Sequence, residues 1–418
     1  IIRNILFQVE LRKKILFTLL IVIVYRLGTH ITIIGINMDA INNLFQQGGL
    51  LGFVNLFSGG ALSRFSIFGL GILPYINASI IMHLLTIIWP KLKELAEEGE
   101  SGRKKISQYT RYLAVIIAAF QSFVMAIGFK SFIAPDFSFY LFVFSTMVGL
   151  IAGTALVIWF AELITEFGIG NGASILIFVG IIAQIPLYIN RTIILVQGGT
   201  NVFRVLALLA ILLFMIFSIV YIQEGQRKIP VQYAKRIVGR KMYGGQNTFI
   251  PLRLIQGGVM PIIFASAILQ FPLMFVQYIN IEAVKNVFSV YYRYDGFIYN
   301  MFFCVLIFFF AYFYTAITFN PQELANNIKK YGGFIVGVRP GRPTVEYLEK
   351  IISRITLVGA AFLALIALLP ILGAKTTQVT SFMGLGGTAL LIIVGVAMDL
   401  FKQIETYMIT KRYEKIIY

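Results

Sequence analysis

The stretch "LFSGGALSRFS" occupies positions 56–66 and runs directly into "IFGLGILPYINASIIMHLL" at 67–85. The second stretch is apolar and close to the roughly 20 residues a helix needs to cross the hydrocarbon core of a bilayer. The first is not: it carries Gly59 and Gly60, the serines Ser58, Ser63 and Ser66, and Arg64. About ten helical residues reach only about 15 Å, half of that core. Lipid cannot satisfy free peptide groups, so short or irregular backbone at membrane depth persists only inside protein or beside a water-filled cavity. From residues alone, 56–66 reads either as a simple re-entrant loop or as a segment enclosed by helices.

The surrounding chain has the composition of a membrane protein. Of its 418 residues, 58% are hydrophobic and 13% charged, where a soluble domain carries about 25% charged residues. The apolar excess runs along the whole length, which a single signal peptide would not produce. The opening "IIRNILFQ" has no Met, so the reading expects residues before it. Ten apolar segments of spanning length are predicted: 14–34, 67–89, 111–129, 138–162, 173–189, 202–223, 257–279, 298–318, 354–372 and 382–401. The predicted fold is therefore all-α and polytopic.

Charge fixes the predicted orientation. The net charge is +17, and most Lys and Arg fall in the N-terminal arm, in the loops after spans 2, 6 and 8, and in the tail. In a ten-span chain these all lie on one side, which the positive-inside rule makes cytoplasmic, with both termini there. The basic excess thus needs no nucleic acid. Two cytoplasmic loops, about 224–256 and 319–353, are longer than mere connections, and loops of that length are usually functional. The first reads as a basic β-hairpin-like excursion turning at "YGG"; the second holds a short helix followed by the rigid turn "RPGRP". An odd number of spans on either side of 190–201 is the arithmetic of two inverted halves, 1–189 and 202–418, joined by a hinge loop.

The spans are poor in chemistry. Arg26 lies in span 1, Glu162 and Glu166 at the cytoplasmic end of span 4, and Asp399 at that of span 10. No acid, histidine or lysine stands near the midplane with a partner, as a coupled pump would need. Cys304, His30 and His83 read as ordinary packing or interfacial residues, and neither a metal-binding nor a hydrolase motif is present. No enzyme, cofactor or metal is expected. A conduit remains, with a secondary transporter and an accessory export channel as rivals.

Four stretches, "NLFSGGALSRFSIFGLGILPYINASIIMHLL", "EGESGRKKISQYTRY", "ITEFGIGNGASILIF" and "RPGRPTVEYLEKIISRITLVGA", with "FYTAITFNPQELANNIKKYG" and "GGTALLIIVGVAMD", resemble the SecY/Sec61-alpha family in the family's own order. The likeness runs along essentially the whole chain. It implies ten helices in two clamshell halves around a pore that passes unfolded secretory chains and releases transmembrane segments sideways into lipid. It implies SecE and SecG as small membrane subunits, the SecA motor or a ribosome as driver, and clients with signal sequences. The implied location is the bacterial cytoplasmic membrane.

The resemblance also implies roles for residues. A ring of apolar side chains, Ile72, Ile76, Ala173, Ile177, Ile263 and Ile392, would seal the pore, since a narrow apolar throat dewets and offers ions nothing in place of water. Ala173 departs from the family's usual isoleucine. A short plug helix within about 49–64, including Phe57, Ser58, Gly59, Gly60, Ala61, Leu62, Ser63 and Arg64, would stop the pore from outside. Asn77, Gln121 and Gln256 would line a lateral gate, with Ile255 standing where many relatives carry Asn, and Pro74 and Pro261 as kinks in the gate helices. Arg339 would dock the motor or ribosome through bidentate contacts, supported by Arg227, Lys228, Lys235, Arg236 and Arg240.

Overall fold

The computed structural model describes residues 9–38, 41, 55, 57–199, 201–233, 236–238, 241–243, 247–276, 296–377 and 386–417. Helix α1, Val9–Gly28, carries Glu10, Arg12, Lys13 and Lys14 in its first turns and Arg26 in its last, with an apolar stretch between. Helices α2, Leu73–Ile88, and α3, Pro90–Glu97, meet at a bend of 100°. Then come α4, Glu100–Gly128, and α5, Phe139–Phe167. Helix α6, Gly172–Ile182, starts where the Asn171 side chain accepts from the Ser174 N–H, a common N-cap. It is followed by α7, Ile185–Gln197, and by α8, Val202–Glu224, which Asn201 caps in the same way.

In the second half, α9, Met260–Val276, and α10, Phe297–Thr318, precede the short α11, Pro321–Lys330. The long α12, Arg342–Thr377, and α13, Gly387–Ile417, complete the chain. A helix or helix pair thus stands at each of the ten predicted spans. Among the described residues, seven are long and apolar enough to cross a membrane, or eight if the bent α2–α3 pair is one span. The others, α1 and α9, fall short because α1 is charged in its first turns and α9 has only 17 residues.

Spans 2 and 5 and the two prolines differ from the sequence reading for local reasons. Span 2 starts at Leu73, not 67, because residues 67–72 run through turns, with Gly71 at φ +55°. Pro74 and Pro261 stand in the first turns of α2 and α9 and kink neither, since proline's missing N–H costs nothing there. Span 5 breaks at 183–184 and resumes as α7, so the predicted hinge loop 190–201 is helical as far as Gln197. Pro186 suits the first turn of α7 for the same reason.

Helix packing sorts along the sequence. Among the helices up to α6, α1 packs on α5, α2 on α4, α4 on α5 and α5 on α6. Beyond α8, the main contacts join α8, α9, α10, α12 and α13. The two groups meet chiefly along α2 with α9 and along α6 with α13. Large apolar side chains on the outer faces, such as Phe203, Leu213, Phe214 and Phe217 of α8, are exposed. On a helix of spanning length these belong in lipid, and the protein is a multi-pass membrane protein.

The two long loops fold into one body. Strands β1, Gln226–Tyr233, and β4, Asn247–Arg253, pair antiparallel, and β5, Gly333–Ile335, joins the free side of β1. Strands β2, Arg236–Val238, and β3, Lys241–Tyr243, extend the hairpin. The "GG" of its predicted turn, Gly244 and Gly245, lies outside the described residues. Ile229, Val231 and Leu252 of the first loop share a buried cluster with Ile328 and Ile335 of the second and with Leu348, Ile351 and Ile355 of α12.

Candidate functional site

The described part of the predicted plug enters the interior. Asn55 and Phe57 are helical, but residues 58–65 run through turns, so the helix predicted over 57–64 is not formed there. Two features break it. Gly59 and Gly60 adopt φ +65° and +86°, which side-chain-bearing residues rarely take. Ser58 donates to the Asn55 carbonyl at 3.1 Å and accepts from the Leu62 N–H at 3.2 Å, replacing helical partners with side-chain ones. The Asn55 carboxamide oxygen also takes the Ser63 N–H at 2.9 Å.

Burial explains how this irregular backbone survives. Phe57, Ser58, Ala61, Leu62, Phe65 and Ser66 are all at most 2% exposed. Glycine permits the closest approaches. A Cβ on Gly59 would lie 2.8 Å from the Gly180 Cα, and one on Gly60 would collide with the Gln184 side chain. On leaving, the segment pairs with the chain after α1: the Ile33 N–H donates to the Phe65 carbonyl at 2.9 Å, and the Ile67 N–H to the Ile31 carbonyl at 3.0 Å. Of the two readings that the residues left open, the enclosed segment is the one observed.

The six ring candidates all lie in or against the main apolar core. Ile72, Ile76, Ile177, Ile263 and Ile392 are buried members of a single apolar cluster that also holds Phe57, Ala61, Leu62 and Phe65, and half-buried Ala173 packs against it. They come from four elements, α2 or its N-cap, α6, α9 and α13, two in each half. Ile72 is the N-cap of α2, and the Ile76 N–H donates to its carbonyl at 3.1 Å.

Among the described residues, no hydrogen bond joins the gate candidates. Asn77 and Gln256 are half-buried, and Gln256 lies in the turn before α9 rather than on it. Gln121 is 6% exposed, and among the described residues its Oε1 has no hydrogen-bond partner. Ile255, the departure from the family pattern, is buried.

An ion pair between two helices escaped the sequence reading. Arg111 of α4 donates to Glu162 of α5 at 2.8 Å, tying these helices together. The two are 51 positions apart, so no local spacing announces the pair.

On the two-loop body, Arg227 and Lys228 of β1 and Arg339 are exposed. Lys228 Nζ sits 4.7 Å above the Phe249 ring, a favourable cation–π distance. Arg339 stands on a braced turn: its carbonyl accepts from the buried Thr344 hydroxyl at 2.9 Å, and Gly341, at φ +105°, takes the Thr344 N–H at 3.0 Å. Arg236 lies in β2 by its backbone, and Lys235 and Arg240 lie outside the described residues.

Comparison with known proteins agrees with this architecture. The SecY family model matches residues 66–401. Protein translocase subunit SecY of Thermotoga maritima is 44% identical, covering 98% of this chain and 95% of the relative. The Escherichia coli K12 protein of the same name is also 44% identical, over 97% of this chain and 93% of its own length. Among solved structures, one of a protein conducting channel superposes with a TM-score of 0.67 at 17% identity, covering 96% of this chain and 93% of the other. A second, concerning the plug domain of the SecY protein and the closed state of its channel, gives 0.65 at 19% identity with the same coverage. On the family model and on these full-length relatives, the chain belongs to the SecY family.

Proposed function

We propose that the chain is the protein-conducting subunit of a Sec-type translocon, passing unfolded secretory polypeptides across the membrane and releasing transmembrane segments laterally. The observation that carries this is the buried 57–65 segment, packed against an apolar cluster drawn from both halves. Such a stopper beneath an apolar constriction holds back ions while leaving a route that widens when the halves part. Ile72, Ile76, Ile177, Ile263 and Ile392 form the seal, Ala173 contributes less side chain to it, and Phe57 to Arg64 form the plug. The α2–α9 seam is the lateral exit.

In this reading the small subunits SecE and SecG complete the complex, and SecA or a ribosome engages the two-loop body at Arg339, Arg227 and Lys228. One solved structure with TM-score 0.63 is of Sec61 in a canine ribosome–channel complex, which favours a ribosome as one such partner. The location is the bacterial cytoplasmic membrane with both termini inside, as the loop charges require. The work is conduction and gating, not catalysis.

Removing residues 57–64 from the full complex in planar bilayers is expected to raise resting ion conductance by at least about tenfold, because the apolar throat alone is then left to dewet. Unchanged conductance would remove the plug assignment. At the gate, Gln121→Leu replaces a buried amide that has an unpaired oxygen. Relief of that penalty, about 1–3 kcal/mol, favours the closed seam. Crosslinking between cysteines placed across α2 and α9 should then persist at signal-peptide concentrations that open the wild type. Earlier opening in the variant would refute the gate role.

A further inference from the structure

Arg26 is a charged side chain near the end of the first spanning helix, and the established family resemblance assigns it nothing here. A charge within a span is costly unless it faces protein or water and meets a partner, which makes it a functional residue by default. Among the described residues no carboxylate pairs with Arg26. Its contact is with the plug: Nη1 donates to the Gly59 carbonyl at 2.9 Å. Gly59 is the residue at φ +65° pressed against Gly180, so the direction of that carbonyl is set by a backbone turn only glycine adopts readily.

The side of the bond contributed by α1 is equally fixed. The Arg26 carbonyl accepts from the Thr29 hydroxyl at 2.7 Å and from His30 Nδ1 at 2.9 Å. Because a carbonyl only accepts, Nδ1 carries the proton in the neutral ring, and Nε2 is left as an acceptor. Arg64 Nη1 lies 2.7 Å from that Nε2. One turn at the end of α1 therefore holds the plug at two places, through a half-buried arginine at Gly59 and through an exposed histidine at Arg64.

We propose that Arg26 is the positioning residue that keeps the plug seated, a releasable anchor made of one charge-assisted hydrogen bond to a main-chain carbonyl. The inference rests on the plug reading above. The anchor suits a moving part. An apolar contact of equal strength would leave apolar surface in the vestibule when the plug departs, whereas a guanidinium and a carbonyl are both satisfied by water once released. A carbonyl partner also leaves the anchor indifferent to the side chains of the plug.

The test is resting ion conductance of the full complex in planar bilayers, with thermal unfolding in detergent as the fold control. Five channels are compared: wild type, Arg26→Met, Arg26→Lys, the 57–64 deletion, and that deletion combined with Arg26→Met. Arg26→Met keeps the apolar stem and removes the donors, and should raise conductance about tenfold, the scale of one charge-assisted hydrogen bond. Arg26→Lys, which retains a charged donor, should stay near wild type. In the deleted channel, Arg26→Met should add nothing, since the anchor has no plug left to hold.

If the deletion raises conductance but Arg26→Met does not, the anchor is refuted and the plug reading stands. An equal rise from Arg26→Met in the deleted channel also overturns the anchor, because the arginine would then act on the pore without the plug. A deletion that leaves conductance unchanged overturns the plug reading and the anchor with it.

Discussion

Arg339→Glu should abolish motor- or ribosome-driven translocation of a secretory precursor into proteoliposomes while leaving the complex assembled. The Arg339 side chain is exposed, and the bonds that hold its turn among the described residues do not use it. The turn is braced by the Arg339 carbonyl, the buried Thr344 hydroxyl and the Gly341 carbonyl. A change at the guanidinium therefore removes a docking group without loosening its mount. Losing one partner of a close charged pair costs about 2–5 kcal/mol, tens- to thousands-fold in affinity, and reversing the charge adds repulsion. Arg339→Lys should recover part of the activity, because lysine keeps the charge but not the planar bidentate fork. Export at the wild-type rate by Arg339→Glu would show that the docking face lies elsewhere.

Gly59→Val is expected to give a leaky channel. The left-handed region at φ +65° costs a side-chain-bearing residue about 1–2 kcal/mol, and more for a β-branched one. The new Cβ would also lie 2.8 Å from the Gly180 Cα and 3.0 Å from Arg26 Nη1, in a place with no room to yield. Both effects favour the unseated plug. A suitable control is Gly99→Val: Gly99 has φ +85° as well, but nothing lies within 4 Å of its Cβ position. That variant bears similar backbone strain without the clash and should leave resting conductance unchanged. Equal leakage from both would mean that strain, not seating of the plug, is being measured.

Much of the molecule is legible in the sequence because bilayer physics leaves few choices. Spanning length and hydropathy located ten helical regions, and the basic loops implied an orientation. The errors fell where local chemistry competes with that pattern. Apolar character continued through 67–72, but Gly69 and Gly71 made turns there. Pro74 and Pro261 looked like kinks because hydropathy does not mark the first turn of a helix. Residues 58–65 form no helix because Ser58 offers the backbone side-chain partners and Gly59 and Gly60 take left-handed dihedrals. The Arg111–Glu162 pair was invisible since its members are joined only by the packing of α4 on α5.

The sequence by itself determined that this is a multi-pass helical membrane protein, and its motifs determined the family. Those properties follow from summed hydropathy and from residue order, which need no contacts. Only the tertiary structure decided that the 57–65 segment is enclosed, that isoleucines far apart in the chain share one cluster with it, and that two long loops fold as one body over Ile229, Ile335 and Leu348. It alone gave Arg26 a partner. A half-buried charge, a glycine–glycine approach and a main-chain acceptor are long-range facts of packing, and residue type and spacing do not encode which carbonyl a side chain will meet.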